Sequence, residues 1–189
     1  MQPAGRAHSL SLDPHKFLFA PLEAGCVLVR EAEVMRSTYS FIPDYLSMVP
    51  DDDFLNYAEY GPQLSRSFKA LKVWWSLRAY GRKAYAKAID NLCDLASYMG
   101  ERITAEPELE LMAPVTLNAV CVRCHALTDA QNERVLERLL SEGVAFFGGV
   151  KIQGKCGFRA CFMNLRTTSI DVDLILDTII RLAEEEKKQ

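Results

Sequence analysis

Helical periodicity over residues 64–103 is the feature that most constrains the fold of this chain. In "SRSFKALKVWWSLRAYGRKAYAKAIDNLCDLASYMGERI" apolar side chains recur three and four positions apart, as on one face of an α-helix. Gly81 falls inside the stretch, where the poor helix propensity of glycine predicts a break. Residues 64–103 are therefore expected to form two linked helices, and helices in this position often join two lobes of a protein.

The remainder of the sequence, residues 104–189, predicts a small α+β lobe. The expected order is strand, strand, helix, strand, strand, helix, near residues 109–112, 117–125, 128–142, 145–152, 157–164 and 169–186. Thr128 or Asp129 is expected to cap the first of these helices, and Gly143 to stop it. Antiparallel strands with both helices on one face make a compact lobe of this size.

Composition places the chain among ordinary soluble proteins. It has 189 residues, 49% of them hydrophobic, and a formal net charge of −3, which suits one sizeable core or one core with a smaller unit. Lysine and arginine are scattered, so no nucleic-acid footprint is expected. No apolar run approaches the roughly 20 residues that span a bilayer, so no membrane partner is expected.

The six cysteines suggest a reducing compartment. The first residues show no apolar segment of the secretory kind, so the expected location is cytoplasmic. Cys121 and Cys124 have the spacing of a metal knuckle, with Cys156 and Cys161 as a conceivable second pair. However, Cys121 and Cys124 lie three apart in a predicted strand and should face opposite sides of the sheet, so no metal site is expected.

The segment Ser9–Arg30, "SLSLDPHKFLFAPLEAGCVLVR", raises a question about one lysine. Two apolar runs are interrupted by Asp13, Pro14, His15 and Lys16. A buried ammonium group is costly unless it is paired or neutralised. Lys16 is therefore either a turn residue that reaches solvent along its flexible stem, or a lysine that is kept there for chemistry.

The next segment, residues 41–63, is expected to be a lid or binding loop. It contains prolines, glycine and an acidic run, which predict irregular structure. It is also rich in aromatic residues, which is unusual for a solvated connection. These aromatic residues are Phe41, Tyr45, Phe54, Tyr57 and Tyr60.

Four motifs together resemble a known family. "SLDPHKFLF" with "GCVLVR", then "FIPDYL", "YGPQLSRSFKALKVWWSLRAYG" and "FRACFMNLRTT", follow one another as in the group II pyridoxal-phosphate decarboxylases, which include the aromatic-L-amino-acid, glutamate and diaminobutyrate decarboxylases. The resemblance covers nearly the whole chain. It implies an α/β fold, the C-terminal portion of a PLP-dependent transferase chain of fold type I that ends in a small α+β domain.

The resemblance also implies a domain organisation. Residues 1–63 would be the C-terminal end of the large PLP-binding domain, with a mobile catalytic loop near residues 41–60. Residues 64–103 would be linking helices, and residues 104–189 the small C-terminal domain. Relatives carry a long segment ahead of the lysine, with the residues that stack on and pair with the cofactor ring, so the sequence is expected to be the C-terminal part of a decarboxylase.

Four residues are site candidates through the resemblance. Lys16 would carry pyridoxal 5'-phosphate (PLP) as a Schiff base. This requires a nucleophilic amine, and desolvation by Phe17, Leu18 and Phe19 would favour it. His15 and Asp13 would lie near the cofactor phosphate, although relatives often have asparagine at the position of Asp13. Tyr45 would protonate the substrate carbon after CO2 leaves, from a loop that closes over the site of the other subunit.

Other matches leave alternatives open. Many relatives have Arg-Arg-Phe-Arg where this chain has Arg66-Ser67-Phe68-Lys69, so Arg66 would contact an anion or simply stabilise the local structure. Arg159, Asn164 and Arg166 match a recurring pattern near the C-terminus, where salt bridges and turn contacts are the expected role.

The function implied is PLP-dependent decarboxylation of an L-amino acid, with a weak preference for an aromatic one, to an amine and CO2. The expected partners are the amino-acid substrate and either a second copy, in a homodimer, or a complementing N-terminal half. The alternative is a non-catalytic truncated remnant or a dimerising interaction module of the same family. A third option, another reaction on the same fold type, is disfavoured by the "DYL" and "GPQLSR" matches.

Overall fold

A computed structural model of the protein describes residues 4–41 and 55–188. The elements in chain order are β1 (Ser9–Leu12), α1 (Pro14–Phe17), β2 (Cys26–Val29), α2 (Ala32–Tyr39), α3 (Lys69–Ala105), β3 (Leu109–Leu111), β4 (Ala119–Cys124), α4 (Asp129–Ser141), β5 (Gly148–Ile152), β6 (Lys155–Cys161) and α5 (Ser169–Glu186), with short 3-10 turns at Ala4–Arg6 and Tyr57–Tyr60. The chain divides into two compact units, one up to Gly81 and one from Arg82 onward. None of the helices described is long and apolar enough to cross a membrane.

The long helix α3 is interrupted where the sequence predicts a break. Gly81 has φ 72° and ψ 166°, outside the helical region, so α3 consists of two helices that meet at this residue. Because φ is positive there, a side chain would strain the backbone, which makes glycine the natural residue for the junction. The predicted pair of helices is therefore confirmed.

The second unit contains the predicted strands and helices. Its four strands are antiparallel and lie in the order β3-β4-β6-β5. The core is formed by alternate residues of the two central strands and by the inner faces of the helices. Its fully buried members include Val120, Val122, Phe158, Val135, Leu139, Leu176 and Ile179. The apolar residues that alternate in the predicted strands, and those that recur every three to four positions in the predicted helices, are thus the side chains that face the core.

Helices α4 and α5 each begin with a capping box. Thr128 accepts a hydrogen bond from the backbone N–H of Gln131, whose side chain in turn contacts Thr128. In α5 the cap is Thr168, one residue before the predicted start, and Asp171 completes the box. Each box satisfies N–H groups that a helix start leaves without partners.

The tight turn between β5 and β6 is formed by two residues with positive φ. Gln153 has φ 50° and Gly154 φ 84°. Positive φ at both central positions is the requirement of a type I′ hairpin turn, whose twist matches the strands it joins.

Gly157 lies at a crowded point of the sheet. A Cβ placed there would be 2.7 Å from the carbonyl oxygen of Val122 and would collide with the sulfur of Met112. Since the backbone of a neighbouring strand cannot move freely, the position requires glycine.

We expect Gly157→Ala to lower the free energy of unfolding by about 1–3 kcal/mol, the usual cost of overpacking. Urea denaturation of the two proteins measures it. Gly149→Ala is the matched control on the adjacent strand, because a Cβ there meets only Leu136 at 3.7 Å, an ordinary contact. Equal losses in the two variants would contradict the explanation.

Four charged side chains form a closed ring between α4 and α5. Each arginine contacts both glutamates, at 2.8 Å (Arg138–Glu142), 2.7 Å (Arg138–Glu185), 2.6 Å (Arg181–Glu142) and 2.9 Å (Arg181–Glu185). The hydrogen bonds from the two arginines hold the pKa values of both glutamates below their usual range. The ring is on the surface, so its contribution to stability is modest and sensitive to salt.

The ring predicts a dependence of stability on pH. A carboxyl group whose pKa is lower in the folded protein than in the unfolded chain stabilises the folded protein at pH values above its unfolded-state pKa of 4.5. This stabilisation is lost as the pH falls through the pKa of the folded state. Glu142→Gln should therefore lower the melting temperature by a few degrees at most at pH 7, and by nothing once the pH is well below 4.5. Glu137→Gln, an exposed change on the same helix, is the control; a difference that persists unchanged in acid would contradict the assignment.

Candidate functional site

The lysine singled out by the sequence lies in a turn between two paired strands. β1 and β2 are antiparallel, from Ser9 opposite Val29 to Leu12 opposite Cys26. The hairpin exposes apolar side chains, with Leu10, Val27 and Leu28 all more than one-third accessible. The turn that joins these strands carries Asp13, His15 and Lys16, so three of the four predicted site residues lie together.

The connection between β1 and β2 begins with one turn of helix, α1, whose main chain forms hydrogen bonds with the residues before and after it. Pro14 occupies its first position, where a missing N–H costs nothing, and is buried. The Lys16 N–H donates to the carbonyl of Asp13 at 2.9 Å, and the Ala20 N–H to the carbonyl of Pro14 at 3.1 Å. The main chain at Lys16 is therefore held by hydrogen bonds, while its side chain extends to the surface.

The ammonium group of Lys16 forms an ion pair with Asp13. Nζ lies 2.7 Å from Oδ2, and the two side chains are 63% and 40% exposed. The hydrogen bond from Lys16 is the main reason why the pKa of Asp13 is lowered. The desolvation expected from Phe17, Leu18 and Phe19 is not present among the described residues, because these side chains leave the amine accessible to solvent.

The imidazole of His15 is half-buried and bound to the main chain of Ala24. Its Nδ1 lies 2.7 Å from the Ala24 carbonyl oxygen and 3.1 Å from the Ala24 nitrogen. Ala24 itself is only 2% exposed. Nδ1 is thus engaged by the main chain of Ala24, so Nε2 is the ring nitrogen that we expect to contact a ligand.

Tyr45 lies outside the described residues, in segment 42–54. An ion pair connects residues on the two sides of that segment: Arg36 Nε, on α2, is 2.7 Å from Oε2 of Glu59, whose side chain is 7% exposed. Asn56 also contacts the Glu59 carboxylate, at 3.4 Å. Sequence reasoning missed both α2 and this pair. The acidic first turn and amphipathic pattern of Ala32–Tyr39 were the available signal for the helix.

The arginines left open by the sequence have mainly structural contacts. Arg66 donates a hydrogen bond to the main-chain carbonyl of Tyr57. Asn164 accepts a hydrogen bond from the backbone N–H of Arg166 at 3.0 Å, which is a turn contact. Arg159 lies exposed on β6, opposite Cys121.

The cysteine pair tested as a metal knuckle occupies strand β4. Cys124 is buried, and burial raises the pKa of its thiol to about 12, so it is held protonated as a packing residue. Cys121 is only partly buried, which fits the expected opposite orientation. Within residues 4–41 and 55–188, no group of three or more histidine, cysteine or acidic side chains is placed to hold a metal ion.

Comparison with known protein families shows the family to which the chain belongs. Residues 1–125 match the family described as pyridoxal-dependent decarboxylase conserved domain. The chain belongs to this family. Its resemblance to group II PLP decarboxylases, inferred from four motifs, is confirmed.

Individual relatives agree with the family assignment. The chain is 34% identical over 194 residues to an aromatic-L-amino-acid decarboxylase of Bacillus atrophaeus, a match that covers 98% of this chain and 40% of the relative. It is 28% identical to a tryptophan decarboxylase of Camptotheca acuminata, over 79% of this chain and 32% of the relative. The chain therefore spans about 40% or less of the length of these decarboxylases.

Solved structures agree with the predicted fold class. Catharanthus roseus tryptophan decarboxylase, in complex with L-tryptophan, superposes with a TM-score of 0.85 at 25% identity, over 98% of this chain and 40% of that one. Oryza sativa TDC with PLP and tryptamine gives a TM-score of 0.89 at 23% identity, over 96% of this chain and 40% of that one. The expected fold, an α/β portion of a PLP-dependent decarboxylase, is confirmed, and PLP is the cofactor of the family.

The residues of the lysine turn fit this cofactor. PLP has an aldehyde, which needs an accessible primary amine, and a phosphate, which needs hydrogen-bond donors. Lys16 offers the amine at 63% exposure, and His15 offers a ring nitrogen that the main chain does not occupy. The two groups are consecutive in the chain on one helical turn, so they could bind two parts of one molecule.

Proposed function

We propose that this chain takes part in the PLP-dependent decarboxylation of an L-amino acid, preferentially an aromatic one, to an amine and CO2. The observation that carries the proposal is the turn between β1 and β2, which carries the Lys16 amine and the His15 ring on consecutive residues in a chain of the decarboxylase family. The preference for an aromatic substrate is supported by the names of its relatives, which include aromatic-L-amino-acid and tryptophan decarboxylases.

Each residue of the turn has a distinct part in the proposal. When bound, PLP supplies the electron sink that stabilises the negative charge left on the substrate carbon. Lys16 holds the cofactor through its amine, which must first lose its proton and leave the ion pair with Asp13. Asp13 keeps the lysine side chain in place before that step, and His15 donates a hydrogen bond to the phosphate.

Tyr45 is the proposed proton donor to the substrate carbon. A phenolic hydroxyl can deliver a proton from a loop, and closure of a loop excludes water that would protonate at random. The Arg36–Glu59 ion pair supports this role, because it joins the chain before and after the segment that contains Tyr45. Removal of the arginine would leave the buried Glu59 carboxylate without its cationic partner, which is strongly destabilising.

The proposed organisation follows the same family. Residues 1–63 form the end of the large PLP-binding domain with the catalytic loop near 41–60, residues 64–103 are linking helices, and residues 104–189 are the small α+β domain. The chain functions in the cytoplasm as part of a homodimer, or together with a complementing N-terminal half. The exposed apolar residues of the β1–β2 hairpin support the need for a covering surface.

The first experiment is spectroscopic. The purified chain is titrated with PLP, reduced with borohydride and digested for peptide mapping, and CO2 release is measured with L-tryptophan, L-tyrosine and L-glutamate. We expect a visible absorbance band and label at Lys16. We also expect turnover to be faster for the aromatic substrates whenever the complete enzyme is assembled.

The second candidate is a non-catalytic interaction module of the same family. It is favoured by the exposed apolar residues of the hairpin, which offer a surface to a partner. It predicts that borohydride labels surface lysines without selectivity, while the chain still forms a complex with a full-length family decarboxylase in analytical ultracentrifugation. Selective labelling of Lys16 would rule it out.

A further inference from the structure

The orientation of the His15 ring is determined by its contact with Ala24. Nδ1 lies 2.7 Å from the Ala24 carbonyl oxygen, and the Ala24 N–H donates to the same Nδ1 at 3.1 Å. Nδ1 donates to the carbonyl when it carries the proton and accepts from the N–H when it does not, so the Ala24 peptide engages this nitrogen in either form. The other ring nitrogen, Nε2, is directed away from the main chain as the ligand-binding atom, and it donates to an anion when it carries a proton, as in the Nε2–H tautomer or the charged ring.

The peptide that fixes His15 lies in an exposed stretch of chain. Pro21, Leu22 and Glu23 are all accessible, and Leu22 is 81% exposed, whereas the adjoining Ala24 is buried. So few packing contacts leave an irregular segment free to shift. A movement of the Ala24 carbonyl would carry the His15 ring with it.

A lysine at the start of α3 holds this stretch. Lys69 Nζ forms an ion pair with Oε1 of Glu23, the residue that directly precedes Ala24. The hydrogen bond from Lys69 is the largest cause that lowers the pKa of Glu23, so the carboxylate is charged at neutral pH. The positive charge of His15 adds to the same effect, which places ring and carboxylate in one electrostatic environment.

We propose that Lys69 is a positioning residue for the cofactor phosphate. Through Glu23 and the Ala24 peptide it keeps the His15 ring in the orientation that directs Nε2 to the anion. The inference rests on the proposed function in one respect only, that the ligand of His15 is the PLP phosphate. Lys69 itself touches neither cofactor nor substrate.

The size of the effect follows from the exposure of the pair. Lys69 and Glu23 are 38% and 72% exposed, so solvent screens their attraction. Exposed pairs of this kind change equilibria by about two- to fivefold. We therefore expect a reduced affinity for PLP rather than a loss of binding.

The test compares the wild type with three single variants and one double variant by three methods. The variants are Lys69→Met, which removes the charge, Lys69→Arg, which keeps it, and Lys155→Met as control, which breaks a similar lysine–glutamate pair with Glu110 in the second unit. The nitrogen-15 NMR spectrum of the His15 ring is recorded without ligand, and the dissociation constant of PLP is measured by absorbance. Urea denaturation of each protein shows whether overall stability has changed.

The proposal expects a specific pattern. Lys69→Met should change the His15 ring signals and weaken PLP binding about two- to fivefold, while Lys69→Arg and Lys155→Met match the wild type. Exchange of the two charges, Glu23→Lys with Lys69→Glu, should restore much of the loss. A His15 spectrum that is the same in Lys69→Met and wild type would overturn the inference.

The two proposals fail in different ways. If PLP does not label Lys16 in the wild type, the proposed function is wrong. The ligand-free spectrum would still decide whether Lys69 orients His15. Normal labelling of Lys16 with an unchanged ring spectrum and unchanged PLP affinity in Lys69→Met would leave the proposed function standing and overturn this inference.

Discussion

Replacement of Lys16 by alanine is expected to abolish selective attachment of PLP. No other side chain of the turn between β1 and β2 has a primary amine, so nothing there can replace the bond to the aldehyde. The visible absorbance band of the bound cofactor should fall to the level of free PLP, and borohydride reduction should leave no labelled peptide from this turn. Absorbance spectroscopy and mass spectrometry of the digest measure both.

Lys16→Arg is the matched variant. Arginine keeps the positive charge and can still pair with Asp13, which now lies 2.7 Å from the lysine nitrogen, but its guanidinium stays protonated and is not a nucleophile. We expect the arginine variant to fold like the wild type and yet to lack the band. If it retained the band, the cofactor would be held by some other lysine, and the proposed role of Lys16 would be wrong.

The second large effect is expected at Asn132 in α4. Its side chain is completely buried, accepts from the N–H of Cys124 at 2.8 Å and donates to the carbonyls of Leu127 and Thr128 at 3.2 and 3.1 Å. It therefore ties the end of β4 to the loop that leads into the helix. Asn132→Ala removes these hydrogen bonds, so the main-chain groups of the three partners are left unsatisfied beside a small cavity.

The expected loss for Asn132→Ala is about 3 kcal/mol in the free energy of unfolding, because a buried polar group without a partner costs about 1–3 kcal/mol and more than one is left. Urea denaturation followed by circular dichroism measures it. Asn91→Ala, an exposed change in α3, is the control and should be close to neutral. A loss below about 1 kcal/mol at Asn132 would mean that water enters and satisfies the freed groups.

The local elements of the second unit could be predicted because each is specified by short-range signals. Strand and helix have different hydrophobic periods, so β4 and α5 are distinguishable in the sequence. Caps are equally local, as Thr128 with Gln131 and Thr168 with Asp171 illustrate. The break at Gly81 follows from the conformational freedom of a single residue.

The identity of the site residues could be predicted from the sequence, but their surroundings could not. The order of four motifs indicated Lys16 and His15 as candidates, and the structure places them on one turn. Their environment was not predictable, since the sequence suggested desolvation of Lys16 and the structure has an accessible ion pair with Asp13. Accessibility depends on what other parts of a chain cover a side chain, and no local pattern encodes this.

Sequence alone determined the type and order of the elements in the second unit, the position of the break in α3 and which residues form the lysine turn. Only the tertiary structure decided which distant residues meet: Arg36 with Glu59, Glu23 with Lys69, and the ring of His15 with the peptide of Ala24. The physical reason is that helix periods and caps arise from neighbours within one or two turns of chain. Ion pairs across 23 or 46 positions, by contrast, depend on how the whole unit folds.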